Sequence, residues 1–481
     1  MTNFPGKSEA VMTKALSITN LTFSYKSWTA RQAHTLFENL SFDIEEGSKT
    51  LLLAPFNQGK TTLAKIMCRV CPKYFPGEMK GSVCFYERDI SVLEPWQLIS
   101  VCTYVSQNPQ ELFVANSVEE EIAFPLESMG LSREEMHRRV QEALRTWGLE
   151  ALKTSSAQEL SGGERKRVLL AVMQAIDARF WLLDEAFDDL DEHWRLILKQ
   201  LIKETGKTVL VFASRYLSTF DDLFDRMLLL EDKQVKSYEP EALLPRFAVL
   251  CKDTLPNPLQ AQVLDLHHTH RVTADRLRIE RRRVSTLSAG TFHLNVDDFS
   301  LQSGQLVTLV APNGSGKSSF SRCLCGLDDS LEGKISFDGR PQDSKELSKK
   351  IGYLFQNPDL QIFLPTVADE LAWSMRHLGR SRQGEIASCA KLFELDLDDT
   401  PTTMSYPQRK ALQAAVYYLL DRPFYILDEL DSALTYHTAL SIIARLRRNG
   451  AGILLITHDR QFANKVGQQS YTIKEGRLLR V

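Results

Sequence analysis

The segment "LLLAPFNQGKTTLAKIM" beginning at residue 51 returns at residue 308 as "TLVAPNGSGKSSFSRCL", which sets Lys60 opposite Lys317 at an offset of 257 (317 − 60). Two more pairs follow in the same order. "YVSQNP" at 104 matches "YLFQNP" at 353, an offset of 249 (353 − 104), and "WLLDEAFDDL" at 181 matches "YILDELDSAL" at 425, an offset of 244 (425 − 181). Offsets that drift only in small steps mean that one unit was duplicated and its loops then changed length by a few residues. A chain of 481 residues also exceeds what one hydrophobic core usually supports, so the repeat predicts two domains of one fold.

The expected organisation is an N-terminal extension over 1–15, a first domain over 16–238, a connector over 239–273 and a second domain over 274–481. The connector is inferred from Pro240, Pro245, Pro256 and Pro258, and the "LHHTHR" that follows reads as solvated linker rather than a metal site. Within each domain, short apolar runs such as "QLVTLVA" and "GILLITHD" alternate with helical stretches such as "HRRVQEALRTW". That alternation predicts an α/β fold whose sheet is largely parallel and buried on both faces.

Composition narrows the function. With 58 basic against 61 acidic residues no global field attracts nucleic acid or anionic lipid, and the run Arg281, Arg282, Arg283 reads as solvated surface. No stretch is apolar for the roughly 18 to 20 residues that a spanning helix needs, so a membrane role would go through a partner. The Cys68-x-x-Cys71 pair follows a phosphate-loop pattern on an expected helix, without a second pair to complete a metal site, and reads as core packing in a reducing compartment.

"APNGSGKSS" at 311–319 follows a strand pattern and opens a helix pattern, which is the context a P-loop requires. Asn313, Gly314, Ser315 and Gly316 let backbone N–H groups turn toward phosphate oxygens, with Ser319 just beyond in the same turn. Lys317 supplies a charge to the β- and γ-phosphates, and Ser318 an oxygen to Mg²⁺. "FYILDE" ends a buried strand in Asp428, suited to Mg²⁺, and Glu429, suited to polarising the attacking water. His458 ends the strand "LLITHD" within reach of a γ-phosphate.

In the order P-loop, "QNP" loop, "LSGGERKR" at 160–167, "LLDE" and strand-end His, the chain resembles the ABC ATPases over nearly its whole length. The resemblance implies two tandem P-loop ABC domains, each with a largely parallel sheet core, an antiparallel β subdomain and a helical subdomain. It further implies that the two domains pair with each other head to tail, rather than through a homodimer, so that each ATP lies between one domain's P-loop and the other's signature.

Carried over residue by residue, this pairing gives one complete site. It would hold Lys317, Ser318 and Gln356 (Q-loop and Mg²⁺ ligand), Asp428, Glu429 and His458, completed by Ser161, Gly162, Gly163, Glu164 and the D-loop Asp191. The other site retains Gln58, Gly59, Lys60, Thr61 and Thr62, with Thr61, Gln107 and Asp184 as Mg²⁺ ligands, and Glu185. Against that, Phe56 and Asn57 alter its P-loop, and Ser214 stands in the place of His458. Its signature "MSYPQRK" keeps Ser405 but carries Tyr406 and Pro407 for the two glycines, and Thr435 takes the place of Asp191. Proline lacks an N–H and tyrosine blocks close backbone approach, so this site is expected to bind ATP without efficient turnover. Tyr25, 35 residues before Lys60 (60 − 25), is similar to the family's adenine-stacking aromatic, and the same spacing from Lys317 falls on Arg282.

"QNPDLQIFLPTVADELAW" at 356–373 resembles the Q-loop and following helix of energy-coupling-factor importers, with "QNPQELFVANSVEEEIAF" at 107–124 a weaker counterpart that has Gln110 for Asp359 and Leu112 for Gln361. That resemblance implies a transmembrane coupling subunit, a substrate-binding membrane subunit and a place on the cytoplasmic face of the cell membrane. Soluble tandem ABC proteins of translation have a long charged arm and two intact signatures, those of repair have zinc-binding cysteine clusters, and the fused sugar-importer ATPases match the post-Q-loop segment less well. Glu120 and Glu121, matched by Asp369 and Glu370, stand on expected short helices and read as favourable first-turn acids, as ordinary solvated charge, or as acids that a partner's basic helices would meet.

Overall fold

The computed structural model describes residues 13–25, 35–55, 58–107, 113–156, 160–188, 190–251, 269–282, 291–312, 314–377, 383–404, 406–431 and 434–481. The chain separates into two compact units, 1–250 and 251–481. Phe56, Asn57, Gln110, Leu112, Asn313 and Ser405 lie outside the described residues.

The first unit runs β1 (Lys14–Tyr25), β2 (Thr35–Glu45), β3 (Lys49–Leu53), α1 (Lys60–Met67), β4 (Gly77–Phe85), β5 (Arg88–Asp89), α2 (Pro95–Val101), β6 (Cys102–Val105), α3 (Val118–Ser128), α4 (Arg133–Thr146), α5 (Gly162–Ile176), β7 (Phe180–Asp184), α6 (Glu192–Glu204), β8 (Thr208–Ala213), β9 (Arg226–Glu231), β10 (Gln234–Ser237) and α7 (Pro240–Cys251). Its core sheet has the order β10-β9-β3-β8-β7-β6, with β9, β3, β8, β7 and β6 mutually parallel. Every residue of β3, β7 and β8 is buried, as helix-covered parallel strands require. A second sheet, β2-β1-β4-β5, is antiparallel, and α3 and α4 pack on α5 as a helical layer.

The second unit repeats the plan as β11 (Arg271–Arg282), β12 (Thr291–Gln302), β13 (Leu306–Leu309), α8 (Lys317–Leu324), β14 (Glu332–Phe337), β15 (Arg340–Pro341), α9 (Ser344–Lys350), β16 (Ile351–Leu354), α10 (Val367–His377), α11 (Gln383–Leu392), α12 (Tyr406–Leu420), β17 (Phe424–Asp428), α13 (Tyr436–Arg447), β18 (Gly452–Ile456), α14 (Arg460–Val466), β19 (Gln469–Lys474) and β20 (Arg477–Arg480). Here the parallel run β19-β13-β18-β17-β16 joins the antiparallel strands through β20 and β12, giving one ten-stranded sheet. The α/β class with a parallel core and an antiparallel layer is therefore as the sequence indicated.

The stretch expected to be connector differs. Pro240 starts helix α7, where its missing N–H is one of the unbonded first-turn donors anyway. Leu243 and Phe247 of this helix are buried, and Arg246 Nε donates to Glu231 Oε2 at 2.7 Å, so the helix is fastened to the first unit. Strand β11 begins at Arg271, three residues before the expected start. His267 and His268 lie outside the described residues, while His270 Nδ1 sits 2.8 Å from Asp338 Oδ2. Cys71 is buried in the first core with Cys68 packed half-buried against it, and among the described residues no group of three or more His, Cys, Asp or Glu could hold a metal. No helix among them is long and apolar enough to cross a membrane.

Candidate active site

All the phosphate-facing motifs gather at the carboxyl ends of the parallel strands, where open α/β sheets place their ligands. The P-loops follow β3 and β13 and enter α1 and α8 through Gly59 (φ 88°) and Gly316 (φ 102°). A Cβ at Gly316 would come within 2.2 Å of the Phe292 ring, and one at Gly59 within 2.9 Å of Phe37, so each aromatic closes the same flank of its loop and demands glycine there. Strands β7 and β17 end in Asp184 and Asp428. The glutamates after them, Glu185 and Glu429, are both left-handed (φ 50° and 49°), and their N–H groups bond the carbonyls of Phe212 (3.0 Å) and Ile456 (2.9 Å) on the neighbouring strands. One backbone geometry thus aims both carboxylates.

In the second unit Lys317 Nζ donates to the carbonyls of Ala311 (2.7 Å) and Pro312 (3.1 Å) and lies 3.3 Å from His458 Nε2. His458 Nε2 is 2.7 Å from Glu429 Oε1, and Gln356 Nε2 donates to Glu429 Oε2 at 2.7 Å. Burial pushes the Glu429 carboxyl up, but the adjoining imidazole, Lys317 and Lys410 outweigh it and hold the group below its ordinary value. Burial and the Glu429 charge together push Asp428 up to about 6, while Tyr353 donates to its Oδ2 at 2.6 Å.

The first unit answers the same backbone with different side chains. Lys60 Nζ donates to Ala54 O (2.9 Å) and Pro55 O (3.2 Å) and stands 3.6 Å from Glu185 Oε1. Ser214 donates to both oxygens of Glu185, through its hydroxyl to Oε1 and through its N–H to Oε2 at 3.1 Å. A hydroxyl brings no charge, so burial prevails over Lys60 and the Glu185 carboxyl is pushed up to about 7. The matching glutamates are displaced in opposite directions.

Thr61 Oγ1 donates to Asp184 Oδ2 at 2.7 Å, with Tyr104 at 3.2 Å from the same oxygen. Burial raises Asp184, and its Oδ1 has no hydrogen-bond partner among the described residues. A buried carboxylate oxygen left over beside a P-loop threonine fits the oxygen-rich shell of Mg²⁺. In the second P-loop the Ser315 hydroxyl is likewise buried without a described partner.

The signature residues have local work. Ser161 is the N-cap of α5 and forms a capping box with Glu164, whose Oε2 accepts from the Ser161 N–H (2.9 Å) and hydroxyl (2.7 Å). Gly162 and Gly163 make the first turn behind it. Asp191 caps α6 by accepting from Trp194 N at 3.2 Å, and Thr435 caps α13 in the same way from Thr438 N at 3.1 Å. Tyr25 ends β1 with its hydroxyl 3.0 Å from Thr62 Oγ1 on the P-loop helix, and Arg282 ends β11 at the same offset as the P-loop lysines. Gln58 lies in the loop just ahead of Gly59, and Gln107 and Gln356 follow β6 and β16.

A family pattern described as ABC transporter matches residues 37–188 and 294–432, one copy in each unit. The chain belongs to the ABC transporter family. Domains of this family bind ATP, in general with Mg²⁺, so the chain is an ATP-hydrolysing protein. A "Putative ABC transporter ATP-binding protein" of Treponema denticola is 26% identical, covering 96% of each chain. The "Putative HMP/thiamine import ATP-binding protein YkoD" of Bacillus subtilis is 28% identical over 93% of this chain and 88% of its own. Among solved structures, an "RNase-L Inhibitor" matches with a TM-score of 0.58 at 20% identity, covering 95% of this chain and 89% of that one, which speaks for a shared tandem ABC fold.

Several residues of this ABC site were not anticipated. Tyr104 and Tyr353, inside the repeated "QNP" segments, bond the aspartates across the sheet. Lys166 and Lys410, at one position of the two signature helices, are fully buried and donate to the Q-loop backbone. The sequence signal was there, an identical residue at identical spacing in both repeats, but it lay outside the motif cores. Of the four acids that follow the Q-loops, two are internal, which removes the solvated-charge and partner-contact readings for them. Glu121 (6% exposed) accepts from the N–H groups of Val114 (2.9 Å) and Ala115 (2.8 Å), and Glu370 (5% exposed) from those of Phe363 (3.0 Å) and Leu364 (2.8 Å). Each needs its carboxylate to satisfy the turn before its helix and is not available to a basic partner.

Proposed function

We propose that this chain is the ATP-hydrolysing subunit of a membrane importer, of the energy-coupling-factor type that carries a vitamin or transition-metal ion. Turnover, in this reading, is confined to the P-loop site of the second unit. The observation that carries the asymmetry is what stands against each glutamate: the His458 imidazole and the Gln356 amide hold Glu429, whereas the uncharged Ser214 holds Glu185, and the two carboxyls are displaced in opposite directions accordingly. Lys317 and the glycine-turned backbone bind the triphosphate, and Ser318, Asp428 and Gln356 hold the Mg²⁺, which would neutralise charge on the β- and γ-oxygens. Glu429 orients and polarises water, held from both sides by Gln356 and His458.

The importer assignment draws on the Q-loop surface. Leu360, Phe363 (76% exposed) and Trp373 stand out of the second unit, and Val114 and Phe124 at the positions matching Phe363 and Trp373 stand out of the first. Apolar side chains at matching places suit the helices of a membrane protein better than solvent does. The Bacillus relative, whose name gives HMP/thiamine import, agrees with a vitamin as substrate.

Two experiments test this reading. Glu429→Gln should retain bound ATP after desalting while Glu185→Gln retains little; retention by Glu185→Gln alone would reverse the two sites. Phe363→Asp with Trp373→Asp should abolish co-purification with a transmembrane partner, and recovery of the chain on ribosomes instead would replace the importer reading with a soluble one.

A further inference from the structure

The signature segment of the second unit carries Tyr406 and Pro407 where that of the first carries Gly162 and Gly163. The structure also shows what the tyrosine does at home. Its hydroxyl donates to the carbonyl of Gln356 at 2.6 Å, and the Gln356 side-chain amide donates to Glu429 Oε2 at 2.7 Å. One turn further along α12, the buried Lys410 ammonium donates to the carbonyl of Phe355 at 2.7 Å, and Gln413 reaches that carbonyl at 3.3 Å. Arg409 pairs with Asp359 at 2.8 Å, beyond the loop's bend.

The first unit shows the arrangement without the tyrosine. There a glycine, Gly162, occupies the position of Tyr406, and Lys166 donates to both corresponding carbonyls, Ser106 at 3.1 Å and Gln107 at 3.2 Å, with Glu185 O at 3.4 Å. In both units the two carbonyls flanking the Q-loop bend are bonded from the signature helix. In the second, the lysine makes a shorter bond to the first carbonyl and the tyrosine hydroxyl serves the second. Pro407 suits the same design, because a proline in the first helical turn fixes φ and forfeits only an N–H without an intrahelical partner.

We propose that Tyr406 is a positioning residue for Gln356 in the hydrolytic site of its own unit. The tyrosine pins the Gln356 backbone so that its amide stays aimed at Glu429 and, with nucleotide bound, at the water beside it. This rests on the reading that the second unit hydrolyses ATP.

The test uses the full chain, or its complex, with kcat, KM and ATP affinity measured separately. Tyr406→Phe keeps the ring and removes only the hydroxyl; it should lower kcat about fivefold, as loss of one net hydrogen bond acting in the transition state would, with ATP affinity unchanged. Tyr406→Gly, which restores the residue of an intact signature, should lower kcat as well. In a Gln356→Ala background Tyr406→Phe should add no further loss, because its effect passes through that glutamine. An unchanged kcat in Tyr406→Phe, a raised one in Tyr406→Gly, or an additive loss in the Gln356→Ala background would each overturn the proposal. Glu429→Gln run alongside separates the two levels. Turnover that survives Glu429→Gln contradicts the assignment of the hydrolytic site, whereas its loss together with a silent Tyr406→Phe contradicts only the role of the tyrosine.

Discussion

Glu185 and Glu429 share a strand end, a left-handed backbone and a lysine neighbour, but Ser214 stands against the first and His458 against the second, and their carboxyls are displaced in opposite directions. Burial raises Glu185 to about 7, above an unfolded value near 4.5, so between those pH values the folded chain binds more protons than the unfolded one. The contribution of this group to stability therefore falls as pH rises from about 4.5 to about 7. Glu185→Gln removes that dependence, and its melting temperature relative to the parent chain should rise between pH 5 and pH 8. A difference that stays constant across that range would show Glu185 ionised throughout. The sequence made the exchange of His for Ser legible. It did not show the consequence, because whether a buried carboxylate keeps its proton depends on distances of a few ångströms that spacing along the chain does not carry.

At the scale of elements, the Q-loop and the helix after it are tied down by a carboxylate from that helix's first turn. Glu370 and Glu121 look like first-turn acids of α10 and α3, where surface carboxylates are common. Both instead turn back to accept the two N–H groups of the preceding bend. Glu370→Ala should thus cost about 2 kcal/mol in denaturant unfolding, the range for buried hydrogen bonds to a charged group. The exposed Asp369, which bonds only within its own cap with Thr366, should cost less than about 1 kcal/mol when changed to Ala. Equal costs would mean that the buried carboxylate is solvated in solution. Helix α7 was read as connector for a comparable reason: Pro240 and Pro245 signal a break when read singly, yet a proline at the first helical position leaves the helix intact, and Leu243 and Phe247 then find a core.

For the molecule as a whole, the repeat was legible because phosphate chemistry fixes both residue type and order. A glycine turn, a lysine, and carboxylates at strand ends recur at nearly constant offsets, and the tandem α/β fold follows from them. What stayed hidden was the division of labour inside each unit, such as the lysines and tyrosines that bond the Q-loop backbone and the aspartates: their repeat at constant offsets marks them, but nothing in the spacing says which groups they bond. The central claim is that one chain carries two P-loop sites of the same construction and turns over ATP at only one. Steady-state ATPase of Lys317→Ala beside Lys60→Ala, in the full chain with whatever partners co-purify, tests it most directly. Lys317→Ala should cut turnover by about 100-fold or more, through loss of charge stabilisation at the transferring phosphoryl group, while Lys60→Ala keeps a substantial fraction of the parent rate. Equal losses from the two changes would contradict the account.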